Sequence, residues 1–460
     1  MPRAVVIVLL WLTAAIVSAD LAAGVARVGL TPDPSAEKVP LGGYTARGNK
    51  KAIGVRDEVG ATALVLSSGG QRFAIVSCDL LTVPASLSEA VAARLPSWSE
   101  QDLVLCATHT HCAPDSQRLN RRMRFPVPGI ATFDAKALDW TAERIAAAIR
   151  QAETCLEPVT LWTGSAAADL SRGRRPAETA LPNCRGPIVG RMPQKLRRQA
   201  APHPEPDVLH VAEFRRGDGT PLVLLVNYAA HPTIFGDKML QISAEWPGEL
   251  ARCWERRNPG TPLLFLNGAL GDRSPVADRG TDDDERVALY ARSLLRVIAG
   301  AMGNLSPVSR GPMEADGHGR QVAHGTSPGP SPEHMLVRYT VASLPAAQPH
   351  PELVREMAAQ GIPKGLLGQV VQGFAPPAAP MRLLQVGGWR VLFVPGEPTT
   401  KAGAELRRAA RADFVASFAS EWVGYVLTPE EYAQGGYEAT VSFHGPHLLD
   451  VLLAAARCLR

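Results

Sequence analysis

Several things are scarce or missing in this chain of 460 residues. No Cys-x-x-Cys pair occurs among its seven cysteines, so no thiolate zinc motif is visible. The odd count leaves at least one cysteine unpaired within the chain, while one or two disulfides stay open. Net charge is only +4, and the basic clusters at Arg172–Arg175 and Lys195–Arg198 are short. That balance gives no support to a nucleic-acid partner; the clusters read as solvated loops, with anionic lipid or substrate contact as the alternative. After the first twenty residues no uninterrupted apolar run is long enough for a membrane span. There is no internal repeat.

What is present begins with the N-terminus. Arg3, the apolar stretch AVVIVLLWLTAAIV and the small residues Val17-Ser18-Ala19 predict a signal peptide over 1–19, with an uncleaved anchor as the alternative. The expected location is therefore secreted or periplasmic, and the expected domain runs over 20–460.

Four apolar runs end on residues that do chemistry. DLVLCATHTH ends on His109 and His111, and PLVLLVNYAAH on His231. TPLLFLNGALGDRSP carries Asp272 and Ser274, and WRVLFVPGE ends on Glu397. Such runs suit strands buried on both faces, and ligands gather beyond the carboxyl ends of strands in open α/β sheets. Two histidine-bearing ends and one glutamate-bearing end predict one metal site assembled from distant segments. On a strand, residues 109 and 111 would share a face. Taken singly, each of these residues has a plain structural reading as a satisfied polar group at the end of an element.

The rest of the pattern alternates strands and helices. ATALVLSS and RFAIVSCDLL predict a hairpin closed by Gly69-Gly70. Helical spacing appears in LSEAVAARL, KALDWTAERIAAAIRQAE, PGELARCWERR, RVALYARSLLRVIAGAM and TTKAGAELRRAARADF. LVRYTVASL reads as a strand. Residues 172–206 predict a long ordered loop, and the Gly-, Pro- and His-rich stretch 309–332 a mobile insertion whose His318 and His324 are solvent-exposed. The expected class is α/β, with mixed sheets flanked by helices in one large catalytic domain.

In order along the chain, ATHTHCAPD, LVNYAAHPT, GALGDRSP, PGEPTTKAGAELRR and GYVLTPEEYAQGGYEA followed by HGPHLL resemble the motifs of the neutral/alkaline non-lysosomal ceramidases. The resemblance implies a zinc ion held by His109, His231, Glu397 and Tyr425. It implies that His111 and Tyr437 line the reacting centre, and Arg174 matches the family's arginine more loosely. Ser274 stands where a serine nucleophile would; zinc-activated water is preferred over it, since no Gly-x-Ser-x-Gly elbow lies near it. Asp272 is expected to brace its loop, and Asp79 to support a histidine from behind. The implied substrate is a lipid-like N-acyl amide, cleaved to fatty acid and sphingoid base, with peripheral membrane contact as a corollary. The oligomeric state is left open.

Departures from the family pattern are expected to bear on substrate, not on metal. Cys112-Ala113 replace Ser-Gly, Pro398 replaces Phe, and Glu245 stands where an aspartate is usual. The family's C-terminal immunoglobulin-like domain is not expected. A metal-dependent esterase or phosphatase, and a non-catalytic exported binding protein, are the competing readings.

Overall fold

The computed structural model describes residues 21–127, 129–175, 206–308, 335–361 and 363–460. The strands in the first half are β1 (Ala22–Gly29), β2 (Gly54–Val55), β3 (Gly60–Ser68), β4 (Gln71–Cys78), β5 (Leu103–Ala107), β6 (Glu157–Ala167), β7 (Ser171–Gly173), β8 (Val208–Arg216), β9 (Pro221–Tyr228) and β10 (Gln241–Ile242). There follow β11 (Leu263–Asn267), β12 (Arg273–Pro275), β13 (Ser306–Pro307), β14 (Met335–Ser343), β15 (Ala378–Val386), β16 (Trp389–Phe393), β17 (Glu397–Pro398), β18 (Phe414–Ala416) and β19 (Tyr425–Val426).

A large sheet runs in the order β11-β9-β8-β6-β1-β3-β4-β5, with β13 attached to β6. It is mixed: β4 with β5 and β9 with β11 are parallel, and its other pairs are antiparallel. A second sheet runs β14-β15-β16-β18, parallel only at β16/β18.

Side-chain alternation shows how the layers stack. On β3, Ala61, Ala63 and Val65 pack with the helices Ala85–Ala92 and Ala135–Thr154, while Leu64 and Leu66 pack on the opposite face. That opposite face meets Leu384, Val386, Val391 and Phe393 of the second sheet. On the second sheet, Leu383 and Leu392 point the other way, against the helices Thr400–Ala410 and Leu448–Cys458. The period of two along each strand thus builds four layers: helices, sheet, sheet, helices. At the β8-β9-β11 end the large sheet is covered by the helices Glu245–Glu255 and Asp283–Met302.

The predicted elements are found, with shifted ends. The 60–78 hairpin turns on Gly69 and Gly70, both at positive φ. Asp134 and Asp282 cap the two long helices through side-chain acceptance of backbone N–H groups. The helices Pro351–Ala359 and Lys364–Phe374 were not expected, nor was Leu448–Cys458. The stretch 309–332, with His318 and His324, and most of the predicted 172–206 loop lie outside the described residues. Among the described residues, Cys78, Cys106, Cys112, Cys155, Cys253 and Cys458 are all free thiols. No helix of the described residues is long and apolar enough to cross a membrane.

Candidate metal centre

His109 follows β5 by two residues, and the strand has already ended there. Its φ is +64°, in the left-handed region. The two imidazoles of the His-x-His pair therefore converge through a strained turn, not through strand alternation, which corrects the expectation. Their Nε2 atoms are 3.2 Å apart. The backbone of His109 is pinned by donation from its N–H to the Leu80 carbonyl at 2.9 Å. Phe418, itself at φ +56°, stacks on the ring at 4.2 Å between centroids.

His231 lies beyond the end of β9, and Glu397 opens β17 after the apolar β16. One ligand atom from each of His109, His231 and Glu397 lies within 4.8 Å of the others, and all three residues are buried. Glu397 Oε2 stands 3.3 Å from His231 Nε2 and 3.6 Å from His109 Nε2.

Proton placement follows from the partners. His109 Nδ1 faces the Leu81 carbonyl at 2.7 Å, and His231 Nδ1 faces the Arg273 carbonyl at 3.0 Å. A carbonyl only accepts, so in the neutral rings Nδ1 carries the hydrogen and Nε2 presents a lone pair. Burial, with the Arg174 charge next, holds the His231 imidazole near 3, and burial likewise lowers His109 and His111, so these rings are neutral at neutral pH. Burial would raise the Glu397 carboxyl, but His109, His231 and the Trp422 indole outweigh it and hold it at about 2. Glu397 Oε2 has no hydrogen-bond donor. Two lone pairs and an unpartnered carboxylate oxygen thus converge in a buried space, an arrangement that fits a cation.

Tyr425 sits beside Glu397, since the two are register partners in the parallel pair β17–β19. Its hydroxyl is 3.3 Å from His231 Nε2 and accepts from Arg174 Nη2 at 3.2 Å. Arg174 also donates to the Gly271 carbonyl and pairs with Glu438 at 3.2 Å. Burial raises the Tyr425 phenol well above its ordinary value, with Glu397 adding to the rise and Arg174 opposing it. The Tyr437 ring meets Tyr425 edge-on at 5.8 Å. Tyr437 is 48% exposed as a residue. Burial first, then Glu397, push its phenol up to about 12.

His111 contacts Tyr44, with ring centroids 4.8 Å apart. Arg47 donates to the His111 and Gly42 carbonyls at 2.7 and 2.6 Å.

Other predicted residues fall outside the cluster. Ser274 is half-buried in β12, opposite Arg172 of β7, and among the described residues no hydrogen bond joins it to the three histidines. Asp272 braces its loop as expected: its Oδ1 accepts from Thr400 N and Oγ1, both at 2.8 Å. Among the described residues Asp79 reaches no imidazole; it accepts from Gly60 N and the Thr108 hydroxyl, and the support of His109 falls to the Leu81 carbonyl. Glu245 holds the turn after His231 by accepting from Ile234 N and Phe235 N. A separate cavity of about 220 Å³ lies behind the Arg273 loop, and none of the metal candidates lines it.

Sequence reasoning missed Trp422, Phe418, Tyr44 and Arg47. Only the Gly42-Gly43 pair carried a signal, that of a close backbone approach.

The chain is similar to known proteins over most of its length. The profile of "Neutral/alkaline non-lysosomal ceramidase, N-terminal" matches residues 22–327. A neutral ceramidase of Pseudomonas aeruginosa is 24% identical over 89% of this chain and 68% of its own length. One from Mycobacterium tuberculosis is 24% identical over 88% of this chain and 71% of its own. The crystal structure of the Pseudomonas aeruginosa neutral ceramidase superposes with a TM-score of 0.72 and 19% identity. That match covers 96% of this chain and 74% of the other.

Proposed function

The chain belongs to the neutral/alkaline non-lysosomal ceramidase family, and on that premise we propose that it is a zinc-dependent amidohydrolase cleaving the N-acyl amide of ceramide-like sphingolipids to fatty acid and sphingoid base. The observation that carries the proposal is the convergence of His109, His231 and the unpartnered Glu397 Oε2.

His109, His231 and Glu397, with Tyr425 beside them, would hold the ion; nitrogen and oxygen donors of this kind suit zinc. When bound, zinc supplies Lewis acidity, polarising a carbonyl and making water nucleophilic near neutral pH.

The chain's own groups supply the rest. His111 is neutral and sits 3.2 Å from His109, so it can exchange a proton with the reacting amide. Tyr437 keeps its proton at neutral pH and can donate to the oxyanion of an attacked carbonyl. Arg174 places its positive charge against the Tyr425 oxygen and makes that oxygen a better anionic ligand.

The test is metal content of the purified protein, paired with release of fatty acid from a fluorogenic N-acyl sphingosine with and without chelator. Stoichiometric zinc with chelator-sensitive release is the expected result. Zinc with cleavage only of matched esters would overturn the substrate, and no zinc binding would overturn the metal site.

A further inference from the structure

The Glu397 carboxylate must be held at one rotation for an oxygen to face His109 and His231. We propose that Trp422 sets that rotation and is a positioning residue for the metal-binding carboxylate. This rests on the zinc reading above.

Trp422 Nε1 donates to Glu397 Oε1 at 2.8 Å. That bond satisfies one oxygen and leaves Oε2 without a donor, turned to the Nε2 atoms of His109 and His231. The terminal torsion of a glutamate is broad and two-fold, so a single fixed donor is enough to hold the plane of the carboxylate.

Trp422 is itself held at its ring and at its backbone. Its ring packs edge-on against Phe374 at 6.0 Å and Phe443 at 5.5 Å. Its backbone N–H donates to Glu421 Oε1 at 2.8 Å. Glu421 is almost fully buried and is gripped by both terminal nitrogens of Arg122, at 3.0 and 3.1 Å. The paired fork fixes the carboxylate in plane, which fixes the start of the Trp422 residue. The same turn carries Phe418, which stacks on His109. One short segment therefore orients two of the metal candidates, and its left-handed Phe418 and Ser420 are strained positions of the kind found at such sites.

Two variants separate hydrogen bonding from packing. Trp422→Phe removes the N–H and keeps an aromatic ring. Benzothienylalanine introduced at 422 replaces the N–H with sulfur and keeps the indole shape. Zinc affinity is measured by competition with a chromophoric chelator, and unfolding of the metal-free protein is followed in parallel. The expected result is zinc binding weakened about 10- to 100-fold in both variants, with the metal-free isostere unfolding as the wild type does. Wild-type zinc affinity in the isostere would overturn the proposal while leaving the metal site standing. Failure of the wild type itself to bind zinc would sink both.

Discussion

Glu397 and Tyr425 are direct partners across the two-residue parallel pair β17–β19. A carboxylate and a phenol from distant segments are thereby set side by side by backbone pairing alone. The register matters because a one-residue slip would turn each side chain to the opposite face. Tyr425 N–H is tied further by donation to the Val441 carbonyl at 3.2 Å, and Glu397 N–H by donation to Gly424 at 3.0 Å.

Tyr425→Phe keeps the buried ring and removes the oxygen. Zinc affinity should fall by about an order of magnitude, the effect expected for a partner that tunes a metal site. Arg174 would then lose one acceptor and keep Glu438. Chelator competition against the wild type checks this; an unchanged affinity would remove Tyr425 from the ligand set.

His109, His111 and Glu397 should separate into two groups. His109→Ala and Glu397→Ala should each lose bound metal and activity together, because each deletes one of the converging donors. His111→Ala should keep the metal and lose rate, by about 10²-fold or more if it handles a proton. Metal analysis beside kcat measurement distinguishes them. Full metal content in His109→Ala would show the assignment of the site to be wrong.

Gly43 is a sharper probe of His111. It has φ +92°, and an added Cβ would lie 2.5 Å from the His111 ring. Gly43→Ala should cost about 1–3 kcal/mol in stability from backbone strain and overpacking. Because the ring must move, kcat should fall while zinc stays bound. Urea unfolding gives the first quantity and metal analysis the second; unaltered kcat would show that His111 tolerates displacement.

The metal candidates were legible because each ends a long apolar run. A strand-end position is written in the local pattern, as at β5 before His109 and β16 before Glu397. The contacts that orient them were not. Trp422, Phe418 and Arg122 reach the site through packing between distant segments, and nothing in SFASEWVGY or LNRRMR marks them. The His109 turn was misread as strand because positive φ in a non-glycine residue leaves no trace in composition. The helices over 351–374 were hidden by Pro363, Gly365 and Gly368, residues that normally interrupt helical spacing. Tyr425 came only from resemblance, since a phenol among apolar residues reads as an ordinary packed ring.

Asp79 gives a pH-dependent prediction away from the ligands. It is buried at the end of β4, and burial, opposed chiefly by Arg27, raises its carboxyl from 3.8 to about 6. A raised folded-state value means that the native protein binds the proton more tightly than the unfolded chain does. The stabilisation is therefore fully present below about pH 4 and is lost as pH rises through about 6. Over that window the loss is about 3 kcal/mol at most, from the size of the shift. Asp79→Asn is neutral throughout and can keep both contacts, since the Thr108 hydroxyl can also accept and the amide oxygen can take the Gly60 N–H. The metal-free wild type and variant should be unfolded in urea at intervals from pH 4 to pH 7. The difference in stability between them should grow with pH in favour of the variant, because all other titrations cancel. A difference that stays constant across the window would mean that Asp79 is charged in the native state throughout, stabilised by its N–H and hydroxyl donors despite its burial.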